Sequence, residues 1–83
     1  MAWQDDGRGL VQVRRFADFV AALEYVNRVG EVAESLGHHP DIDIRWSTVT
    51  LRLTTHSAGN TITDNDRALA AAIDALDDAP QET

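Results

Sequence analysis

Apolar residues recur along this chain in two rhythms. From Phe19 to Leu36 the spacing is helical: Phe19, Leu23, Val26, Val29, Ala33 and Leu36 form one stripe, which Tyr25 and Val32 widen. Asp18 is placed to cap the start of this helix, and Gly37 to end it in a left-handed conformation. A stripe this wide predicts packing against a sheet on one side and against a partner on the other. Gly30, in mid-helix, costs about 1 kcal/mol relative to alanine and suggests a close backbone approach.

The second rhythm is strict alternation. Ile42, Ile44 and Trp46 alternate with Asp41, Asp43 and Arg45; after a turn at Trp46-Ser47-Thr48, Val49, Leu51 and Leu53 alternate with Thr50, Arg52 and Thr54. This predicts a hairpin over 41–55. Upstream, Leu10, Val11, Val13 and Phe16 suggest a less regular strand after a turn at Gly7-Arg8-Gly9, and a further short strand near Trp3 is compatible with the pattern. Trp3 itself either folds back onto the core or caps a pocket. Downstream, a loop around Gly59-Asn60 leads to Thr63, the N-cap of a last helix. Its stripe is Leu69, Ile73 and Leu76, and its many alanines make it slim.

The predicted fold class is therefore α+β: an antiparallel sheet of three to four strands with two long helices packed on one face, in the order β-(β)-α-β-β-α. Residues 1–76 are expected to form one domain and residues 77–83 an acidic C-terminal tail.

Composition narrows the picture. With 83 residues, 43% hydrophobic and 25% charged, the chain is globular, but a domain this small buries only roughly 60% of its unfolded surface, which favours self-association. The net charge is −7 and the basic residues number seven, too few and too scattered for a nucleic-acid footprint. There is no cysteine, which excludes disulfides and thiol chemistry. Neither an apolar run of membrane-spanning length nor a secretion signal is visible, so a cytoplasmic location is expected and no membrane partner.

The candidate chemistry gathers at element ends. His38 and His39 follow the long helix, Pro40 restricts His39 to extended backbone, and His56 closes the second strand of the hairpin. As helix-end cations the paired histidines need no function. The same field, with Glu34 one turn back, also favours the imidazolium and so prepares a general acid. Adjacent side chains on extended backbone diverge, so one ring of the pair faces a reacting atom while the other grips or orients. That divergence also makes the pair poor metal co-ligands, and no metal is expected. Glu34 is either a solvated helix carboxylate or an orienting partner for a histidine. Asp66 lies on the inward stripe of the last helix, where it either completes a capping box with Thr63 or is aimed at the site that His56 enters.

Taken together, Glu34-x-x-x-His38-His39-Pro40, five residues to Trp46, nine to His56 and nine to Asp66 resemble the signature of the pterin-4a-carbinolamine dehydratases. The resemblance runs from Trp3 to about Leu76 and takes in Asp18-Phe19, Thr55-His56 and Thr63-x-x-Asp66; the loop between His56 and Asp66 is one residue longer than in the familiar form. It implies a lyase of tetrahydropterin recycling that dehydrates 4a-hydroxytetrahydropterin to the quinonoid dihydropterin. His38 and His56 would be the acid–base pair, and His39 would hold the pterin. Glu34 and Asp66 would orient or bind, with Trp46 or Trp3 at the pocket wall. It further implies no metal or organic cofactor, the pterin being substrate, and a homodimer or homotetramer. Members of the family also serve as protein-binding or assembly modules, which keeps a protein partner open as an alternative or second role.

Overall fold

The computed structural model describes residues 3–78. Four strands, β1 (Gln4–Asp5), β2 (Leu10–Arg15), β3 (Asp41–Arg45) and β4 (Thr48–Leu53), form an antiparallel sheet in the order β1-β2-β4-β3. Two helices, α1 (Phe19–Leu36) and α2 (Asp64–Asp78), cover one face of it. This is the expected α+β architecture, with the short strand after Trp3 present. The rest of the expected acidic tail, from residue 79, lies outside the described residues.

Register decides which side chains meet the helices. Leu10 pairs with Leu53, Gln12 with Leu51 and Arg14 with Val49, while β3 sets Ile42 opposite Leu51 and Ile44 opposite Val49. Because side chains alternate along a strand, these residues share the helix-facing side. Leu10, Val49, Leu51 and Leu53 are buried there against Ala22, Tyr25, Val29 and Ala33 of α1 and Leu69, Ala70 and Ile73 of α2. Trp3 folds back over this core, and its indole N–H donates to Asp74 Oδ1 at 3.0 Å.

Three expectations need correction. Phe19, Leu23 and Leu36 are 44%, 41% and 48% exposed, and the buried line of α1 runs instead through Ala22, Tyr25, Val29 and Ala33. Apolar residues occupy so much of this helix that period alone does not select the inward face; the two alanines let α1 sit close to its neighbours. Ile42 is 39% exposed, because β3 is an edge strand at the margin of the helix layer, and Trp46, at φ 52° in the expected turn, is 74% exposed rather than part of the buried alternation. A side chain built on Gly30 would meet nothing within 4 Å, so Gly30 marks no close approach within the chain.

The end of β4 is held from one side by the loop after β1. Asp6 accepts from the backbone N–H groups of Arg8 and Gly9, at 3.0 and 2.9 Å, and from Arg52 Nη2 at 2.6 Å. The Arg52 guanidinium, helped by those amides, brings the Asp6 carboxyl down to about 2. Thr54 Oγ1 donates to the Arg8 carbonyl at 2.7 Å, and a Cβ on Gly9 would come within 2.9 Å of the Leu53 carbonyl oxygen. Glycine is required there by proximity.

One buried group is a liability. The Gln12 amide is 4% exposed, and among the described residues neither its nitrogen nor its oxygen has a hydrogen-bond partner. Replacing an unpaired buried amide with an apolar side chain of similar length removes its desolvation cost. Gln12→Met is expected to raise unfolding stability by about 1–3 kcal/mol, measured by urea denaturation; a loss of stability would show that the amide is paired in solution.

Candidate active site

The carboxylate of Asp66 is fully buried, and each of its oxygens is engaged. Oδ2 accepts from the Thr63 backbone N–H at 2.9 Å and from the Thr55 hydroxyl at 2.7 Å; Oδ1 accepts from His38 Nε2 at 2.5 Å. Oδ2 thus makes the expected capping contact with Thr63, while Oδ1 is taken by His38. The Thr63 and Thr55 hydroxyls lie 2.6 Å apart. Since Thr55 spends its single proton on Asp66, Thr63 must donate to Thr55, while Thr63 Oγ1 accepts from the Asn65 N–H at 3.3 Å. Burial by itself pushes the Asp66 carboxyl up, but the hydrogen bonds from His38, Thr55 and Thr63 outweigh it and leave the group below its ordinary value.

His38 reaches Asp66 because of how α1 ends. Gly37 sits at φ 68°, its N–H donates to the Glu34 carbonyl at 3.2 Å, and the His38 N–H donates to the Ala33 carbonyl at 3.2 Å. This Schellman arrangement reverses the chain after one left-handed residue. His38 is therefore no longer one helical turn above Glu34, and the histidine that Glu34 meets is the other one of the pair. Glu34 Oε1 instead accepts from His39 Nε2 at 2.9 Å, between side chains 82% and 64% exposed. The adjacent rings diverge, as anticipated from extended backbone: His38 turns into the buried carboxylate and His39 outward to a solvated one.

His56 begins a 3₁₀ turn (His56–Ala58) immediately after Thr55. It is exposed, and its Nδ1 lies 2.7 Å from Asn60 Oδ1. Asp66 is thus directed at His38 rather than at His56, and the two imidazoles are linked through Thr55, whose hydroxyl serves Asp66 and whose backbone leads into His56. Sequence reasoning named Thr55, Thr63 and Asn60 but foresaw neither the Thr55 and Thr63 hydroxyls as donors nor the contact of Asn60 with His56. Thr55 follows Leu53-Thr54 at the end of the alternating run, and a threonine there reads as strand; only its contact with an aspartate on the last helix reveals it.

Trp46 stands at the opposite end of the hairpin from the histidines, on the order of 15 Å along β3. The cleft at that end, about 330 Å³, is lined by Arg14, Phe16, Glu24, Tyr25, Arg28 and Leu76 and contains no histidine. There Arg14 lies over the Phe16 and Tyr25 rings at 5.3 and 4.9 Å, a cation–π stack. Titratable geometry, more than cavity size, marks the His38 end as the candidate site. Among the described residues no three His, Asp or Glu side chains converge as metal ligands, and no helix is long and apolar enough to cross a membrane.

The structure is thus a two-layer α+β fold with a buried aspartate–histidine pair and a second histidine one residue beyond the pair's threonine. The family profile described as Pterin 4 alpha carbinolamine dehydratase matches residues 1–76. The chain belongs to that family. A protein of Acidobacterium capsulatum, provisionally named a pterin-4-alpha-carbinolamine dehydratase, is 52% identical over 75 residues, covering 90% of this chain and 80% of its own. The crystal structure of a transcriptional coactivator/pterin dehydratase from Brucella melitensis superposes with a TM-score of 0.81 at 28% identity, over 90% of this chain and 81% of that one. A pterin dehydratase-like protein identified as a RuBisCO assembly factor in the alpha-carboxysome shares the fold, with a TM-score of 0.75 at 23% identity, over 92% and 89% of the two chains.

The lowered Asp66 carboxyl sets a pH dependence. The unfolded state takes up this proton near the ordinary value of 3.8 and the folded state only at lower pH. Its contribution is therefore fully present above that range and is lost as pH falls through the folded value. Asp66→Asn is expected to destabilise the protein by about 1–3 kcal/mol at neutral pH, and to flatten the acid limb of a stability-against-pH curve. An acid limb unchanged from wild type would assign it to other carboxylates, Asp6 among them.

Proposed function

We propose that this protein is a 4a-hydroxytetrahydropterin dehydratase, a hydro-lyase acting in tetrahydropterin recycling. The observation that carries the reading is the fully buried Asp66 holding His38, in a chain of the pterin-4-alpha-carbinolamine dehydratase family. In the reaction the C4a–O bond breaks and N5 loses its proton, giving quinonoid dihydropterin and water. One group must protonate the departing oxygen and another must accept the N5 proton; imidazoles suit both tasks because their ordinary pKa lies near working pH. His38 is the acid and His56 the base. His39, braced by Glu34, holds the pterin. Asp66 positions His38, with Thr55 and Thr63 positioning Asp66 in turn. The pterin is the substrate, and the chemistry calls for no further cofactor.

Trp46 lies too far from His38 in its own chain to line the same pocket, so a role for it in pterin binding needs a second copy. The outer side of α1, where Phe19, Val20 and Leu23 are 44%, 62% and 41% exposed, favours the homodimer or homotetramer expected of so small a core. The same apolar side supports a second reading, a protein-binding or assembly module on this fold, either alone or beside catalysis. Retention of the whole histidine set favours the enzyme.

Purified protein is expected to accelerate dehydration of 4a-hydroxytetrahydropterin, followed by the absorbance of the quinonoid product. His38→Ala and His56→Ala should each lower kcat by roughly 10²–10⁴-fold, the usual worth of a general acid or base. A wild-type rate no higher than that of buffer sinks the enzyme reading and leaves the binding module.

A further inference from the structure

The loop that follows β4 is closed by its own hydrogen bonds. The Thr55 N–H donates to the Thr61 carbonyl at 2.9 Å, the Ala58 and Asn60 N–H groups both donate to the Thr55 carbonyl at 3.1 Å, and the Gly59 N–H donates to the His56 carbonyl at 3.1 Å. Thr61 Oγ1 adds a bond to the Ala58 carbonyl at 3.1 Å. The chain turns through two consecutive left-handed residues, Gly59 at φ 79° and Asn60 at φ 59°. Asparagine is among the few non-glycine residues that adopt this conformation readily, so the backbone alone gives a reason for Asn60. The backbone does not explain why its side chain is spent on a histidine. Asn60 Oδ1 lies 2.7 Å from His56 Nδ1.

An amide oxygen only accepts, so the ring nitrogen facing it must carry the hydrogen; a neutral imidazole has one N–H, and its other nitrogen then bears the lone pair. At His38 the pattern is reversed: Nε2 carries a hydrogen toward the Asp66 carboxylate, so Nδ1 is the nitrogen not spent on that bond, and in the imidazolium that serves as acid it carries the hydrogen to be given. We propose that Asn60 is a positioning residue that fixes His56 as the Nδ1–H tautomer, so that the two imidazoles present opposite nitrogens, Nε2 from His56 and Nδ1 from His38, to a common substrate. As regards dehydration, this rests on the reading of His56 as the base, since only the Nδ1–H form offers Nε2 to receive the N5 proton. Thr55 connects the two settings: its hydroxyl donates to Asp66, and its carbonyl accepts from the Asn60 backbone N–H.

The discriminating variant is Asn60→Gly, which satisfies φ at least as well as asparagine and removes only the acceptor. In ¹⁵N-labelled protein above the histidine titration range, long-range ¹H–¹⁵N correlation spectra report which ring nitrogen carries the hydrogen, without substrate. Wild type should show His56 as Nδ1–H and His38 as Nε2–H. In Asn60→Gly, His56 alone should lose the Nδ1–H form, and in Asn60→Asp, which keeps an acceptor, it should retain it. In the dehydratase assay Asn60→Gly should lower kcat by about fivefold to tenfold, the effect of losing one hydrogen bond, with KM little changed and recovery in Asn60→Asp. An Nε2–H form at His56 in wild type, or an Nδ1–H form that survives in Asn60→Gly, overturns the proposal whatever the activity. Full activity in Asn60→Gly overturns its catalytic part. An inactive wild type with the expected tautomers removes the dehydratase reading and leaves the assignment of Asn60 intact.

Discussion

Everything near the histidines depends on the burial of one charged carboxylate. A lone ionised group taken out of water would cost far more than a domain of this size can spare, so Asp66 persists only because donors meet both of its oxygens. Those donors come from three separate parts of the chain: His38 after α1, Thr55 after β4, and Thr63 at the start of α2. The aspartate therefore acts as a cross-link between elements distant in sequence. Its demand for partners also fixes the direction of the His38 ring. Capping of α2 and the hold on His38 are served by one carboxylate, so the two contacts of Asp66 do not compete.

The surrounding fold brings these donors to one end of the sheet. The antiparallel β3–β4 hairpin returns the chain from Pro40 to Thr55, and the register of Asp41 with Arg52 sets the exit of α1 beside the exit of β4. The left-handed Gly37 turns His38 inward at the same level. The loop from Asp6 to Gly9 holds the end of β4 from the other side through Arg52, Thr54 and the narrow space at Gly9. The helix layer contributes mainly apolar burial, and the site lies at its edge. That position leaves His39 and His56 exposed while Asp66 stays dry. A polar end on an apolar layer separates the exposed imidazoles from the buried carboxylate beneath them.

Much of this was legible in residue order. Alternation marked the 41–55 hairpin, Asp18 and Gly37 marked the limits of α1, and the spacing from Glu34 to Asp66 marked the family. The inward face of α1 was less legible, because a helix apolar on most sides carries several candidate stripes and the alanines that permit close packing read as neutral. Which histidine each carboxylate meets was less legible for a related reason. Gly37 was placed to end the helix, but how far a single residue at positive φ turns the chain, leaving Glu34 to His39 and His38 to Asp66, is not written in the spacing.

By itself, then, the sequence determined which segments are helix and strand, where they stop, and which residue types are available for proton transfer, since periodicity and capping act over a few residues. Only the tertiary structure decided the partners. Asp66 meets His38, Glu34 meets His39 and Asn60 meets His56 because ring direction depends on backbone turns and strand register, which bring together groups up to 28 positions apart. Thr55 is where those two levels join: a strand residue by its pattern, and by its contacts the anchor of Asp66 through its hydroxyl and of the His56 loop through its carbonyl.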